Sequence, residues 1–305
     1  MFHAVCHRVQ LFVIYINDIA MSSSILKSIL FADDTNLFNS NRNLQYLMES
    51  TNVELQKLSE WFKANKLSLN VGKTKYILFG NKHIPGKSFH LILDGNVLDQ
   101  VKETKFLGVV LDEKLNWSQH INHICLKISR GLGIIGRVKH ILPSKTLLML
   151  YYSLIYPYIS YCCIIWGSTC KTLLNKVTLL QKRVVRLITH SEFRSTTGPL
   201  FIYLSLFKVS DVHKMQILQF MCQFKRGMLP HSCMHYFTVN NITLTYALRN
   251  NNNFNLPFCR TNIRQRCVCY SGPKFWNTLP YDIQNSLCLS SFKCAVRQYI
   301  LNSYQ

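Results

Sequence analysis

In the first third of the chain, short apolar runs alternate with turn residues. Ile29 to Phe31 precedes, and Leu37 to Phe38 follows, a short polar segment that contains Asp33 and Asp34. Two apolar runs around such a segment predict a β-hairpin with the acidic pair at or beside its turn.

Residues 43–66 carry apolar side chains three and four positions apart, which predicts an amphipathic helix packed on a sheet. These residues are Leu44, Leu47, Met48, Val53, Leu55, Leu58, Trp61 and Phe62. Beyond this helix, residues 75–79 predict a strand. Residues 90–98 predict a hairpin whose turn is Asp94–Gly95, and residues 101–111 predict another hairpin that contains Gly108.

From Asn116 onward the pattern becomes helical and basic. An apolar stripe begins at Ile121, and the glycines at 131, 133 and 136 predict a bend in this helix. Residues 179–188 form a second amphipathic segment, in which Lys182, Arg183 and Arg186 cluster at helical spacing. The chain is therefore predicted to be α+β, with strands and packed helices first and a mainly helical remainder.

Residues 146–170 contain no charged side chain, so a hydropathy profile would mark them as a membrane span. Pro157 and five tyrosines interrupt the segment, and Lys145 and Lys171 flank it. A buried helix pair broken at Pro157 is the preferred interpretation, and a membrane protein is the alternative.

The formal net charge is +21, from 35 Lys and Arg against 14 Asp and Glu. Such an excess favours a polyanionic partner, and nucleic acid more than a membrane surface, although a generic basic protein would share it.

The 12 cysteines lack the spacing of a zinc site. A ligand set of His231, Cys233, His235 and Cys259 is an alternative, but reduced thiols in an intracellular protein, nuclear or cytoplasmic, are preferred.

The adjacent carboxylates Asp33 and Asp34 carry the chemistry that the pattern indicates. Two like charges held together call for a counter-cation, and Mg²⁺ prefers carboxylate oxygens and phosphate. In two-metal phosphoryl transfer, such carboxylates hold the ions that activate the attacking oxygen and stabilise the leaving one. An ordinary Asp-Asp turn is the alternative.

The segment Phe31-Ala32-Asp33-Asp34 resembles the catalytic aspartate motif of the reverse transcriptases of non-LTR (LINE-type, jockey-like) retrotransposons. Further motifs similar to this family follow in the family's order along almost the whole chain from Leu11. These motifs are Tyr15 to Ile19, Trp61 to Asn70, Lys73 to Lys75, Phe106 to Val109, Leu179 to Arg183 and Trp276 to Pro280.

The resemblance implies a partial polymerase palm in residues 1–112, with an antiparallel sheet and packed helices. A helical thumb or connector in residues 113–200 and a C-terminal extension in residues 201–305 would follow. The implied partners are an RNA template, a DNA primer and deoxynucleoside triphosphates, and the implied cofactor is Mg²⁺, with Mn²⁺ as its substitute.

Roles for individual residues follow from the same resemblance. Asp33 would be a metal ligand, and Asp34 would support the site. Lys73 would contact the nucleotide, and Phe106, Leu107 and Gly108 would form the primer grip.

Three of these assignments have plainer alternatives. Lys73 also fits a solvated strand end, and the Gly108 hairpin fits a kinked edge strand. The basic cluster of Lys182, Arg183 and Arg186, expected to track a phosphate backbone, also fits a solvated helix face.

Residues 1–10 do not match the family, and no position matches the third catalytic carboxylate. We therefore expect the C-terminal remainder of a longer reading frame, inactive as a polymerase when alone. A non-catalytic, basic nucleic-acid-binding remnant is the alternative. Trp276 is expected in the core first, and as a base-stacking platform second.

Overall fold

The computed structural model describes residues 12, 14–32, 34–80, 89–239 and 253–304. The chain divides into two compact units, Met1–Thr104 and Lys105–Gln305.

Among its described residues, the first unit holds three short two-stranded pairings and one long helix. Its strands are β1 (Lys27–Phe31), β2 (Asp34–Phe38), β3 (Lys75–Tyr76), β4 (Ile92–Leu93), β5 (Asn96–Val97), β6 (Asp99–Gln100) and β7 (Glu103–Phe106), the last of which crosses the division between the units. β1 pairs with β2, and β4 pairs with β5, both antiparallel, whereas β3 pairs with β6 in parallel. β7 pairs with β8 (Val109–Asp112).

Helix α1 (Leu44–Ala64) confirms the predicted helix at 43–66. The Asn43 side chain caps it by accepting hydrogen bonds from the backbone amides of Gln45 and Tyr46, which satisfies donors that the first helical turn leaves free. The buried core of this unit consists of Ile19, Met48, Leu55, Leu58, Leu91, Leu93 and Leu98.

The hairpin predicted at 90–98 is confirmed, with Asp94 (φ 53°) and Gly95 (φ 76°) between β4 and β5. Both left-handed residues are typical of a type I′ turn. The Asp94 carboxylate pairs with Lys63 of α1 and accepts a hydrogen bond from Ser59.

Two details of the predicted sheet are wrong. The strand predicted at 75–79 spans only Lys75–Tyr76. The strands also form separate two-stranded sheets, one of them parallel, instead of one antiparallel sheet. The mixed content of helices and strands nevertheless agrees with the predicted α+β class.

The second unit is built from helices around one apolar core. The longer ones are α2 (Ser118–Val138), α3 (Ser144–Leu154), α6 (Lys171–Ile188), α8 (Val209–Lys225), α10 (Val268–Trp276) and α12 (Leu289–Asn302). The shorter ones are α4 (Tyr156–Ser160), α5 (Cys163–Trp166), α7 (Gly198–Tyr203), α9 (Asn262–Arg266) and α11 (Tyr281–Gln284). A 3₁₀ turn lies at His231–Cys233 in this unit, and two others lie at Asn17–Ser22 and Val71–Lys73 in the first unit.

One hydrophobic core extends from β8 to the last helix, and it includes Trp166, Phe201, Trp276 and Phe292, all fully buried. The expected division after residue 200 lies inside α7, and the three-part domain division stays a prediction. Trp276 stacks on Phe292 with ring centroids 5.6 Å apart. Its burial confirms the core interpretation and leaves no ring face for a base.

The uncharged segment 146–170 forms three short helices, α3, α4 and α5. The break comes at Ile155, just before Pro157, which lies in the first turn of α4. Among the described residues, no helix is long and apolar enough to cross a membrane.

Helix α2 is continuous over Ser118–Val138, without a break at its glycines, and the bend predicted there stays a prediction. Gly131 is required for close packing instead. A Cβ added there would lie 2.9 Å from the Ile155 side chain and 3.2 Å from the Leu154 carbonyl oxygen.

Candidate functional site

The acidic hairpin predicted from the sequence is present. β1 and β2 pair over five positions, from Lys27 opposite Phe38 to Phe31 opposite Asp34. In this register two positions, 32 and 33, separate the strands. Ala32 is left-handed, with φ 52°, and Asp33 lies outside the described residues. Asp34 is exposed at the first position of β2.

The face of the hairpin that carries Asp34 also carries exposed apolar side chains. In an antiparallel pair, alternate residues share a face, so Asp34 lies on the same side as Phe31, Ile29 and Phe38. Their exposed fractions are 59%, 42% and 42%. The opposite face packs Leu30 and Leu37 against the core of the first unit. The carboxylate therefore lies on the open side of the sheet.

The described residues do not by themselves make up a two-ion metal site. They place one carboxylate, Asp34, at the hairpin turn, and no group of three His, Cys, Asp or Glu side chains among them could hold a metal ion. The alternative zinc ligands His231, Cys233, His235 and Cys259 likewise do not form such a group. The cysteines within the described ranges are free thiols.

Lys73 is exposed at the end of the 3₁₀ turn Val71–Lys73. The Asn70 side chain caps this turn by accepting a hydrogen bond from the Lys73 backbone amide, 3.2 Å away. The side chains of Lys73 and Asp34 make no hydrogen bond or ion pair with each other.

The predicted primer-grip residues form the tip of the β7–β8 hairpin. Leu107 (φ 44°) and Gly108 (φ 84°) are the two loop residues, and Phe106 ends β7. The Tyr161 hydroxyl donates a hydrogen bond of 2.6 Å to the Leu107 carbonyl oxygen.

The base of this hairpin is tied to helix α2. The Asp112 carboxylate accepts hydrogen bonds from the backbone amides of Lys114, Asn116 and Trp117, at 3.0–3.2 Å. The His120 ring nitrogen Nδ1 accepts a hydrogen bond from the Val110 amide at 3.3 Å. Burial lowers the pKa of His120 to about 4, so its ring is neutral at pH 7.

The three predicted basic residues of α6 lie in different environments. Arg183 is exposed, and Lys182 is partly buried. Arg186 donates a hydrogen bond from Nε to the Ser195 carbonyl oxygen, 2.9 Å away. The structure therefore leaves Arg183 as the most accessible cation of the three.

Gln181, in the same Leu-Leu-Gln-Lys-Arg run, is a core residue. Its amide nitrogen donates hydrogen bonds to the Tyr151 hydroxyl and the Phe207 carbonyl, and its oxygen accepts one from the Val209 amide. The sequence run therefore combines an exposed cation with a buried amide that joins α6, α3 and the start of α8.

Further exposed cations, which the sequence analysis did not assign to a binding site, lie on α2 and α6. Arg130 and Arg137 are exposed on α2, and Lys176 is exposed on α6. Lys176 donates a hydrogen bond to the Asn122 side chain of α2 at 3.3 Å. Their signal is visible in the sequence, because residues 114–191 contain 11 Lys and Arg and no Asp or Glu.

The charge of the whole chain is concentrated in the second unit. Residues 105–305 contain 24 Lys and Arg against 5 Asp and Glu, whereas residues 1–104 contain 11 against 9. The two ion pairs formed among the described residues, Lys57–Glu54 and Lys63–Asp94, both lie in the first unit.

Sequence comparison with curated proteins found five relatives, and three of them illustrate the similarity. The RNA-directed DNA polymerase from mobile element jockey of Drosophila melanogaster is 27% identical over 188 residues, 59% of this chain and 20% of the relative. The probable RNA-directed DNA polymerases from transposon BS and transposon X-element of the same fly are 27% and 28% identical, over 55% and 46% of this chain.

The chain is similar in sequence to RNA-directed DNA polymerases of non-LTR retrotransposons. It spans about a fifth or less of the length of these relatives. No protein-family model matches the chain, and no solved structure matches it significantly.

Proposed function

We propose that the chain is part of an RNA-directed DNA polymerase of a jockey-like retrotransposon, and that its second unit holds the nucleic acid. The similarity to three such polymerases supports the family. In this proposal residues 1–112 are palm, residues 113–200 are thumb and residues 201–305 are a C-terminal extension. The protein would act inside the cell, where RNA is available as a template.

The acid-free segment 114–191 carries the binding part of the proposal. Its cations face no carboxylate within the segment, so their field is not cancelled locally, and a phosphate backbone is the polyanion that such a surface attracts. Arg130 and Arg137 are seven residues apart, as are Lys176 and Arg183. A seven-residue spacing is two helical turns, about 10 Å, so each pair lies along one side of its helix.

The catalytic part of the proposal rests on the β1–β2 hairpin. Asp33 and Asp34 would hold Mg²⁺, or Mn²⁺ in its place, together with ligands beyond the described residues. When bound, the ion would stabilise charge on the reacting phosphate oxygens. Lys73 would contact the deoxynucleoside triphosphate, and the Phe106–Gly108 tip would meet the DNA primer.

The second candidate function is nucleic-acid binding without catalysis. The separation of the charge supports it, because the basic residues are concentrated in residues 105–305 and the acidic hairpin lies outside them. We propose that the 305-residue chain alone does not extend a primer, since only the Asp33–Asp34 pair of the expected carboxylates matches the family.

Primer extension on an RNA template separates the two candidates. The chain is expected to bind the RNA–DNA hybrid but to add no nucleotide, with either Mg²⁺ or Mn²⁺ present. Nucleotide addition that disappears in both Asp33→Ala and Asp34→Ala would contradict the proposed inactivity and establish catalysis by this hairpin. Failure to bind any hybrid would contradict both candidates.

A further inference from the structure

The tip of the β7–β8 hairpin has an unfavourable backbone that the sequence of the turn does not explain. Both loop residues are left-handed, as a type I′ turn requires, and such turns favour Asn, Asp or Gly at their first position. Here the first position is Leu107, at φ 44°. The Cβ of leucine makes this conformation unfavourable. A contact from outside the turn must therefore help to hold it.

Tyr161 provides that contact in two ways. Its hydroxyl donates a 2.6 Å hydrogen bond to the Leu107 carbonyl oxygen. Its ring also lies against the second loop residue, because a Cβ added to Gly108 would be 3.4 Å from Tyr161 Cε1. The Tyr161 hydroxyl and ring therefore contact both loop residues of the turn.

The backbone of Tyr161 is itself held by the helical core. Its amide donates a hydrogen bond to the Pro157 carbonyl oxygen, 2.9 Å away. Its carbonyl accepts a 2.9 Å hydrogen bond from Nε1 of Trp166, which is fully buried. A continuous path of hydrogen bonds therefore runs from the core through Tyr161 to the hairpin tip.

We infer that Tyr161 is a positioning residue that fixes the β7–β8 tip for contact with a nucleic-acid strand. The inference rests on the proposed function, in which this tip meets the primer. Gly108 is exposed, and Tyr161 is 53% exposed, so both remain open to a strand. Fixing the tip before binding places its backbone accurately against the strand.

Hydrogen exchange of the full chain tests the contact itself. Tyr161→Phe removes only the hydroxyl, and loss of one such hydrogen bond should raise amide exchange in residues 105–110 about fivefold. Tyr158→Phe is the matched control, because Tyr158 is an exposed tyrosine of α4 whose hydroxyl bonds no other described residue. Equal exchange in Tyr161→Phe and wild type would overturn the inference.

A fluorescent base at the primer 3′ end tests whether Tyr161 positions the hairpin tip against the bound strand. With 2-aminopurine at that position of an RNA–DNA hybrid, Tyr161→Phe should change the bound fluorescence while the dissociation constant stays within about twofold. A residue with a merely structural role would not separate these readouts. Bound fluorescence identical to wild type would overturn the positioning role. Absence of binding by the wild-type chain would instead overturn the proposed function, whatever the exchange result.

Discussion

Gln181 shows how one buried polar residue joins three parts of the second unit. All three of its hydrogen-bonding partners, on Tyr151, Phe207 and Val209, lie in the protein interior. A buried amide is tolerated there because its donors and its acceptor have partners. Removing the side chain would take one hydrogen bond each from the Tyr151 hydroxyl, the Phe207 carbonyl and the Val209 amide.

We therefore expect Gln181→Leu to lower the free energy of unfolding of the second unit by about 2–4 kcal/mol. Urea unfolding followed by tryptophan fluorescence measures this change. Asn175→Ala, at an exposed position of the same helix, is the control and should change stability by less than about 0.5 kcal/mol. A loss for Gln181→Leu no larger than for the control would show that the network does not stabilise the fold.

Two buried histidines should make the second unit sensitive to acid. Burial lowers the pKa of His120 and of His213 to about 4, and Nε2 of each ring has no partner among the described residues. The folded pKa is below the unfolded value of about 6.5. The unfolded chain thus binds protons first as the pH falls, and stability is lost between about pH 6.5 and pH 4.

The variant His120→Asn/His213→Asn should flatten this part of the stability profile, because asparagine does not titrate. Urea midpoints at pH 7 and pH 5 provide the comparison. His140→Asn, at an exposed position, should leave the profile unchanged. If the stability of the double variant depended on pH as that of wild type does, the two buried histidines would not be the cause of the acid sensitivity.

At the scale of the element, the glycines of α2 differ in purpose. Gly131 has no room for a Cβ because Leu154, the last residue of α3, and Ile155 pack against it. Gly133 has nothing within 4 Å of the same position and is exposed. Sequence spacing alone gave both the same interpretation, as helix-weakening residues.

Alanine at these two positions should therefore have opposite effects. Gly131→Ala should destabilise the chain by about 1–3 kcal/mol, since the clash exceeds the gain in helix propensity. Gly133→Ala should stabilise it by about 0.5–1 kcal/mol. Thermal unfolding of the two variants checks the pair, and a stabilising Gly131→Ala would show that the close approach is absent.

At the scale of the whole molecule, the sequence predicted the elements that depend on neighbouring residues but not the contacts between distant ones. The helix at 43–66, the Asp94–Gly95 hairpin and the acidic hairpin follow from spacing and turn residues, and the structure contains all three. The core position of Gln181 and the brace from Tyr161 to Leu107 join residues 26 to 54 positions apart. No local pattern encodes such partners.

The charge division belongs to the same scale, and it is readable from the sequence once the two units are known. It leads to the central claim, that residues 105–305 bind nucleic acid through their basic surface. Three exposed cations of this surface, Arg130, Lys176 and Arg183, have a matched set in the first unit, Arg42, Lys75 and Lys102.

The most direct test is the salt dependence of binding to a short RNA–DNA hybrid, measured for the full chain and for both triple glutamine variants. Wild-type affinity should fall steeply with salt because bound phosphates release counterions. Arg130→Gln/Lys176→Gln/Arg183→Gln should reduce the slope of log affinity against log salt by about 3, and the first-unit triple by less than about 1. Equal slopes for the two triples, or binding that does not respond to salt, would contradict the claim.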